Sequence, residues 1–277
     1  MSEEIVQLKR KAIEIRKQLL TMIYEAKTGH TGGSLSNTDI LTVLYYKVMN
    51  IDPKHPQWDR RDRYVQSKGH AVESYWAILA DKGFFPEEEL KTFSQFQSRL
   101  IGHPNNKVPG VEMNTGALGH GLPISVGMAL GAKLNRRSYR VFTLMGDGEQ
   151  AEGSVWEGAM AAAQYNLDNL VAIIDRNRLQ ITGGTEDVMA IDPLDEKWRS
   201  FGWHVVEVDG HNIESLVNVL TGAPKIKGKP TLIIANTIKG KGVSFAENQV
   251  SWHHKVPSKE DYHRAMDELD QQLEVLG

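Results

Sequence analysis

Two oxygen-bearing side chains stand just after two consecutive apolar runs in this sequence. Asp147 follows the run 141–145 between two glycines, and Asn177 follows the run 170–174. A carboxylate and an amide oxygen suit Mg²⁺ or Ca²⁺, and two side chains leave coordination positions for phosphate oxygens and water. The glycines beside Asp147 allow a phosphate to approach the backbone closely. The pair Asp147 and Asn177 therefore predicts a metal-bridged diphosphate.

Alternating helical and strand patterns must position this pair. Four strand-like runs, at 141–145, 170–174, 203–208 and 231–235, are separated by helical segments. This alternation is typical of a parallel sheet covered on both faces, so we expect a doubly wound α/β fold. We expect one domain over 1–277, with a polar C-terminal extension from about residue 240. Ligands of such sheets bind beyond the carboxyl ends of the strands, which is where the predicted metal ligands lie.

The first half of the chain carries further helices and one long irregular tract. Apolar residues at a spacing of three and four predict a helix over 4–26, which the glycine-rich segment 28–33 should end. The next helix is predicted over 39–48, with Asn37 or Thr38 as its N-cap. The tract 98–121 is rich in glycine and proline, and loops of this length inside a domain are usually functional.

The composition excludes several classes of function. The chain has 277 residues, a net charge of -3 and no cysteine, which excludes disulfides, zinc-thiolate sites, iron–sulfur clusters and thiol nucleophiles. The near-neutral charge argues against a nucleic-acid partner. The longest stretch without a charged residue or histidine, 121–132, is well short of the roughly 20 residues that cross a bilayer. We therefore expect a cytoplasmic protein with no membrane partner.

The Asp147 and Asn177 pair resembles the thiamine diphosphate signature of Gly-Asp-Gly, a helix, and an asparagine after the next strand. Arg176 stands where that signature usually has a further asparagine. Other segments resemble those of the transketolase family in the same order. They are 28–35, 62–71, 102–104, 109–112, 115–121 and 146–153. The chain thus resembles the diphosphate-binding domain of transketolase over roughly residues 10–260.

This resemblance implies a role for each matched residue. Asp147, Asn177 and the backbone carbonyl of Leu179 would bind the Mg²⁺ or Ca²⁺. Gly148 would donate its N–H to the diphosphate, and Glu152 would join a carboxylate network at a subunit interface. The residues expected to bind thiamine diphosphate are His70, Gly116, Leu118, Gly148, Glu152 and Asn177.

Histidines are the expected carriers of protons. Transfer of a two-carbon ketol unit between sugars moves protons on and off hydroxyl groups, and imidazole titrates near neutral pH. His30, His70 and His103 each follow a glycine in a matched segment and would face the thiazolium and the sugar.

The family has one more site histidine, which precedes a proline in the C-terminal loop, and here it has two candidates. The spacing to Pro257 favours His254, whereas the preceding tryptophan favours His253. Nearby, the run 239–242 contains two lysines that could reach a phosphate, although a flexible exposed turn is an equally good interpretation.

A full transketolase has two further domains, for which this sequence leaves no residues after about 260. With Met1 at one end and a helix reaching Gly277 at the other, we expect a natural N-terminal subunit of a split transketolase. Its partner would be a C-terminal subunit in an α2β2 heterotetramer, and the chain alone would be inactive. The substrates would be a ketose phosphate donor and an aldose phosphate acceptor. The alternatives are a specialised branched or sulfonated ketose, a 2-oxoacid-type thiamine diphosphate enzyme subunit, and a non-catalytic binding protein.

Overall fold

A five-stranded parallel sheet forms the centre of the computed structural model, which describes residues 2–277. Its strands follow the order β1-β2-β3-β5-β4. They are β1 (Arg63–Gln66), β2 (Val141–Gly146), β3 (Leu170–Arg176), β4 (His204–Asp209) and β5 (Thr231–Asn236). The four predicted strand-like runs all belong to this sheet, with the short strand β1 at one edge.

Helices cover both faces of the sheet, which confirms the doubly wound α/β fold. They are α1 (Glu3–Ala26), α2 (Thr31–Val43), α3 (Glu73–Asp81), α4 (Gly121–Leu134), α5 (Gly153–Gln164), α6 (Thr185–Val188), α7 (Leu194–Ser200), α8 (Ile213–Thr221) and α9 (Lys259–Val275). Alternate residues of β3 separate the two layers, because a strand presents successive side chains to opposite faces. Ile173 packs in the cluster with α1, α2, α3 and α8, while Ala172 and Ile174 pack in the cluster with α4, α5 and α7.

The start of α2 differs from the prediction. The helix begins at Thr31 rather than at residue 39, and the glycines expected to form a loop lie inside its first turn. A Cβ on Gly32 would lie 2.8 Å from the carbonyl oxygen of Trp252. Glycine is therefore needed here for close packing, and Asn37 is a buried residue within the helix rather than its cap.

The register between β2 and β3 brings the predicted metal ligands together. Gly146 pairs with Asp175, so Asp147 and Asn177 leave the sheet at neighbouring positions of the same edge. The segment after residue 240 returns to α1, where Val243 and Trp252 share a buried cluster with Leu269 of α9. Among residues 2–277, no helix has both the length and the apolar character needed to cross a bilayer.

Candidate functional site

Asp147 is held at the end of β2 by backbone donors. One oxygen, Oδ1, accepts from the N–H of Gly148 at 2.8 Å, and Oδ2 accepts from the N–H of Arg178 at 2.6 Å. Burial raises the pKa of this carboxyl above its usual value, with a further contribution from nearby Asp175. A cation bound beside Asp147 would compensate this unfavourable environment for the charged form.

Asn177 and Leu179 complete a set of oxygen donors suited to a hard cation. The amide oxygen of Asn177 accepts from the N–H of Leu179 at 3.2 Å, which holds the turn after β3. Asp147, Asn177 and Leu179 line one cavity of about 370 Å³. Within residues 2–277, no group of three or more His, Cys, Asp or Glu side chains could hold a metal ion. A metal here would therefore take its remaining ligands from phosphate and water, which fits the predicted donor set.

The same cavity is lined by most of the other residues expected to bind the cofactor. Those predicted residues are His70, Leu118, Gly148 and Glu152. His253 also lines the cavity, whereas His30, His103, His254 and Gly116 do not. Glu152 is exposed and lies at the start of α5.

Three glycines keep the backbone around this cavity accessible. A Cβ on Gly116 would lie 2.9 Å from Cδ2 of His103, and Gly116 has a φ of 146°. On Gly148 a Cβ would lie 2.6 Å from Nε2 of Gln180. Gly119, with a φ of 83°, leaves no room for a Cβ beside Glu152. The positive φ values of Gly116 and Gly119 require glycine and keep the loop 115–119 close to the cavity, whereas a Cβ at Gly148 would meet only the flexible side chain of Gln180.

The five candidate histidines form one cluster centred on His30. Its ring centroid lies 5.2 Å from His70, 6.2 Å from His103, 5.8 Å from His253 and 4.4 Å from His254. The buried Nδ1 of His30 has no hydrogen-bond partner among residues 2–277. Both C-terminal candidates therefore reach the cluster, and only His253 also lines the cavity.

The environment of the cluster keeps the rings of His30, His70, His103 and His253 uncharged at neutral pH. Burial, followed by the neighbouring histidines and Lys68, lowers the pKa of His30 to about 4. Burial and the nearby ammonium of Lys239 lower the pKa of His253 to about 3. Burial and the nearby ammonium of Lys68 hold the pKa of His70 well below its usual value. Burial also lowers the pKa of His103. Neutral imidazoles of this kind can accept protons from a bound ligand.

Lys239 is a site residue for which the sequence favoured neither of two interpretations. Its side chain is buried, and its ammonium donates to the carbonyl of Leu179 at 2.9 Å and contacts Nδ1 of His253 at 2.8 Å. The interpretation as an exposed turn is therefore wrong for Lys239. Lys241 is partly exposed and pairs with Glu247 at 3.4 Å.

A second buried lysine, Lys68, also lines the cavity. Lys68 pairs with Asp175, which also accepts from Ser36 at 2.6 Å and from Thr237. Burial alone would raise the pKa of Asp175, but Lys68 outweighs it and lowers that pKa. Lys68 lies within the matched segment 62–71, but no spacing rule connects it to Asp175.

Glu149 connects three segments around the cavity, a role that no motif in the sequence predicts. Its carboxylate accepts from the N–H of Gly119 at 2.8 Å, from the N–H of Gly146 at 3.0 Å, and from the hydroxyl of Ser67. The side chain is 2% exposed. Glu149 therefore holds the loop 115–119 against the end of β2.

Two features lie apart from this site. Arg176, at the position of the missing asparagine, pairs with Asp192 and does not line the cavity. A larger cavity, of about 630 Å³, lies between α1 and α9 and contains none of the predicted site residues. Among its lining residues, Arg16 and His211 both pair with the buried carboxylate of Asp39.

Comparisons with known proteins show which family this chain resembles. The family model described as "Transketolase, thiamine diphosphate binding domain" matches residues 8–270. The chain is 49% identical to an apulose-4-phosphate transketolase subunit of Phocaeicola vulgatus, covering 94% of this chain and 93% of that one. It is 42% identical to the 6-deoxy-6-sulfo-D-fructose transketolase subunit SqwG of a Clostridium species, covering 98% and 99%.

Longer proteins match over part of their length. The solved transketolase of Campylobacter jejuni superposes with a TM-score of 0.90 at 32% identity, covering 98% of this chain and 43% of that one. Human transketolase is 37% identical and is likewise covered over 43% of its length. The chain thus spans less than half of these transketolases, and nearly all of the two shorter relatives above.

Proposed function

The chain belongs to the transketolase family as an N-terminal, thiamine diphosphate-binding subunit, and we propose that the site described above is its half of a ketol-transfer centre. The observation that carries this proposal is the shared position of the Asp147, Asn177 and Leu179 oxygens. They lie in one cavity with Lys239, beside the cluster of five histidines. The anion-binding end of the site, at the oxygens and Lys239, thus lies next to the histidine end, which can accept protons.

The anion-binding end fits a diphosphate with a divalent cation. We assign Asp147, Asn177 and the carbonyl of Leu179 to Mg²⁺ or Ca²⁺. The N–H of Gly148 and the ammonium of Lys239 would bind phosphate oxygens, while Gly116, Leu118 and Glu152 would border the rest of the cofactor. Thiamine diphosphate supplies, when bound, the nucleophilic carbon that attacks a ketose carbonyl.

The histidine end fits the handling of sugar hydroxyls. His30, His70 and His103 are neutral at pH 7 and can each accept or share a hydroxyl proton. We assign His253 to the boundary between cofactor and sugar because it lines the cavity and contacts Lys239. His254 would contact the sugar from the side of His30. This set of histidines favours ketol transfer over 2-oxoacid chemistry.

A separate C-terminal subunit would complete the site. The relatives named as transketolase subunits have nearly the length of this chain, and the longer transketolases extend well beyond it. We propose two copies of each subunit in an α2β2 assembly, with the pyrimidine end of the cofactor bound by the partner. A cytoplasmic location remains a prediction from the sequence.

The ketose donor is either a common sugar phosphate or a specialised one. A transfer from a ketose phosphate to an aldose phosphate is the main proposal. The specialised alternative is supported by two relatives, whose names specify apulose 4-phosphate and 6-deoxy-6-sulfo-D-fructose.

A reconstitution assay tests the proposal. The chain is purified alone and with a C-terminal transketolase subunit from the same organism, then supplied with thiamine diphosphate and Mg²⁺. We expect ketol transfer only with the partner, measured from xylulose 5-phosphate to ribose 5-phosphate. Apulose 4-phosphate and 6-deoxy-6-sulfofructose are run in parallel as donors. Activity of the chain alone would refute the split site, and no activity with any donor would refute the proposed function.

A further inference from the structure

Glu73, the first residue of α3, is a fully buried carboxylate with no role in the site described so far. One oxygen accepts from the backbone N–H of His30 at 2.7 Å, and the other accepts from the hydroxyl of Ser34 at 2.5 Å. Both donors belong to the turn from which α2 begins. The carboxylate therefore connects α3 to the backbone of the residue at the centre of the histidine cluster.

The turn preceding His30 is closely fitted to this carboxylate. Gly29 has a φ of 150°, and a Cβ there would lie 2.8 Å from Oε1 of Glu73 and 2.6 Å from Cγ1 of Ile23. His30 is the N-cap residue of α2, and its side chain makes no capping hydrogen bond. The bond to Glu73 thus holds the backbone at His30 while leaving the imidazole free to face the site.

The groups around Glu73 do not neutralise it by direct contact. Lys68 is the nearest cation to influence it, but the Lys68 ammonium is bonded to Asp175. Its donors at the start of α2 are the backbone N–H of His30 and the hydroxyl of Ser34, neither of which carries a charge, and from α1 the apolar side chain of Ile23 lies beside Gly29 of the same turn. Burial raises the pKa of Glu73 to about 6 despite its hydrogen bonds.

We propose that Glu73 is a positioning residue for His30, whose carboxylate fixes the turn before α2 and so sets where the imidazole meets the sugar. This inference rests on the proposed function for the role of His30. When Glu73 is ionised, it accepts both hydrogen bonds with a full charge, which makes them strong. Protonation weakens the hold on the N–H of His30, so the turn loosens as the pH falls toward 6 and below.

Two substitutions separate the hydrogen bonds from the charge. In Glu73→Gln the amide oxygen can still accept from His30, and the amide NH₂ can donate to Ser34. In Glu73→Ala both donors lose their acceptor. The matched control is Asp81→Asn, which changes a carboxylate on the same helix that pairs with Lys11 at 2.8 Å. All variants are assayed as the reconstituted enzyme.

The pH profile gives the first measurement. We expect kcat of Glu73→Gln at pH 8 to stay within about threefold of the unsubstituted enzyme, and that of Glu73→Ala to fall about tenfold or more. Between pH 7 and 5.5, kcat/KM should decline less steeply for Glu73→Gln than for the unsubstituted enzyme, whereas Asp81→Asn should follow the latter. Superimposable profiles for Glu73→Gln and the unsubstituted enzyme would overturn the proposal.

The second measurement does not depend on activity. The imidazole NMR signals of His30, assigned by their loss in His30→Asn, are followed with pH in the full chain. All chains compared also carry His254→Asn, which removes the ring that lies 4.4 Å from His30. Because the pKa of His30 itself is about 4, a shift of its signals near pH 6 would then report Glu73. We expect that shift in the unsubstituted chain and in Asp81→Asn, and its absence in Glu73→Gln. A shift that persists in Glu73→Gln would overturn the inference, even if no ketol transfer were found.

Discussion

The Nζ atom of Lys239 lies 2.9 Å from the carbonyl oxygen of Leu179, the backbone atom that we assign to the metal. The same ammonium contacts Nδ1 of His253 at 2.8 Å. One buried cation therefore joins the anion-binding end of the cavity to the histidine cluster.

Replacing this cation should weaken cofactor binding. In Lys239→Met an unbranched side chain of nearly the same length remains, without the charge that would pair with the diphosphate. A charge-assisted hydrogen bond contributes about 1.5–3 kcal/mol, so the Kd of thiamine diphosphate should rise about 10- to 100-fold. Calorimetric titration of the reconstituted enzyme in excess Mg²⁺ measures this change. The control is Lys241→Met, which changes a partly exposed lysine two residues away and should leave the Kd unchanged. Equal effects of the two variants would exclude our assignment.

The difference between these two lysines shows why their burial could not be predicted from the sequence. Lys239 and Lys241 are two residues apart in the sequence, and each is followed by a glycine. Their different burial depends on the return of the chain toward β3, a contact across about sixty positions that no local pattern encodes. The buried pair of Lys68 with Asp175 and the hydrogen bonds of Glu149 escaped prediction for the same reason.

The pattern of apolar residues was sufficient to predict the strands, because it is local and recurs along the chain. The apolar runs predicted β2, β3 and β5 because strands buried on both faces have little polar sequence, while the half-buried edge strand β4 was still recognisable from its three valines. The glycines at 32 and 33 misled the prediction of α2, since glycine marks both helix ends and close packing. Asp147 and Asn177 could be paired in advance because parallel strands end at the same edge.

Removal of the metal should abolish cofactor retention, and removal of the charge on its carboxylate ligand should weaken metal binding. Chelation with EDTA should release thiamine diphosphate, and Mg²⁺ or Ca²⁺ should restore it. Asp147→Asn removes the charge that faces the cation, so we expect at least about a tenfold higher Mg²⁺ concentration for half-maximal activity. The control is Asp187→Asn, an exposed carboxylate on the nearby helix α6. An unchanged Mg²⁺ requirement in Asp147→Asn would count against this metal site.

Substitutions of the two C-terminal histidines, His253 and His254, should change different kinetic and binding constants. His253 lines the cavity and accepts from Lys239, so His253→Asn should raise the cofactor Kd and lower kcat, each by about tenfold. The ring of His254 lies 4.4 Å from that of His30 and outside the cavity. His254→Asn should therefore raise KM for the ketose donor and leave the cofactor Kd unchanged. Steady-state kinetics with each variant decide the assignment, and the opposite pattern would exchange the two roles.

A buried ion pair away from the site should govern stability in acid. Asp39 in α2 accepts from Arg16 of α1 at 2.7 Å and from Nδ1 of His211 at 2.7 Å. The other ring nitrogen of His211 accepts from the N–H of Ile238, immediately before Lys239. The network thus packs α1 and α2 against the segment that carries the site lysine.

Removal of the Asp39 charge should destabilise the folded chain, because Arg16 would stay buried without its charged partner. Asp39→Asn should lower the free energy of unfolding by about 3 kcal/mol, measured by urea denaturation at pH 7. Asp270→Asn, which breaks an exposed pair with Lys17, should cost less than about 1 kcal/mol. Equal losses in the two variants would show that the buried network does not stabilise the fold.

The pH dependence of this loss has a defined sign. Burial alone would raise the pKa of Asp39, but Arg16 and His211 outweigh it and hold the pKa well below that of an unfolded aspartate. The ionised form is therefore bound more tightly in the folded chain, and its contribution is complete above the unfolded pKa of about 3.9. As the pH falls below that value, the unfolded chain takes up the proton first and the contribution shrinks. The stability difference between the unsubstituted chain and Asp39→Asn should thus be constant from pH 7 to 5 and decrease between pH 4 and 3. A difference that grows on acidification would contradict the depressed pKa.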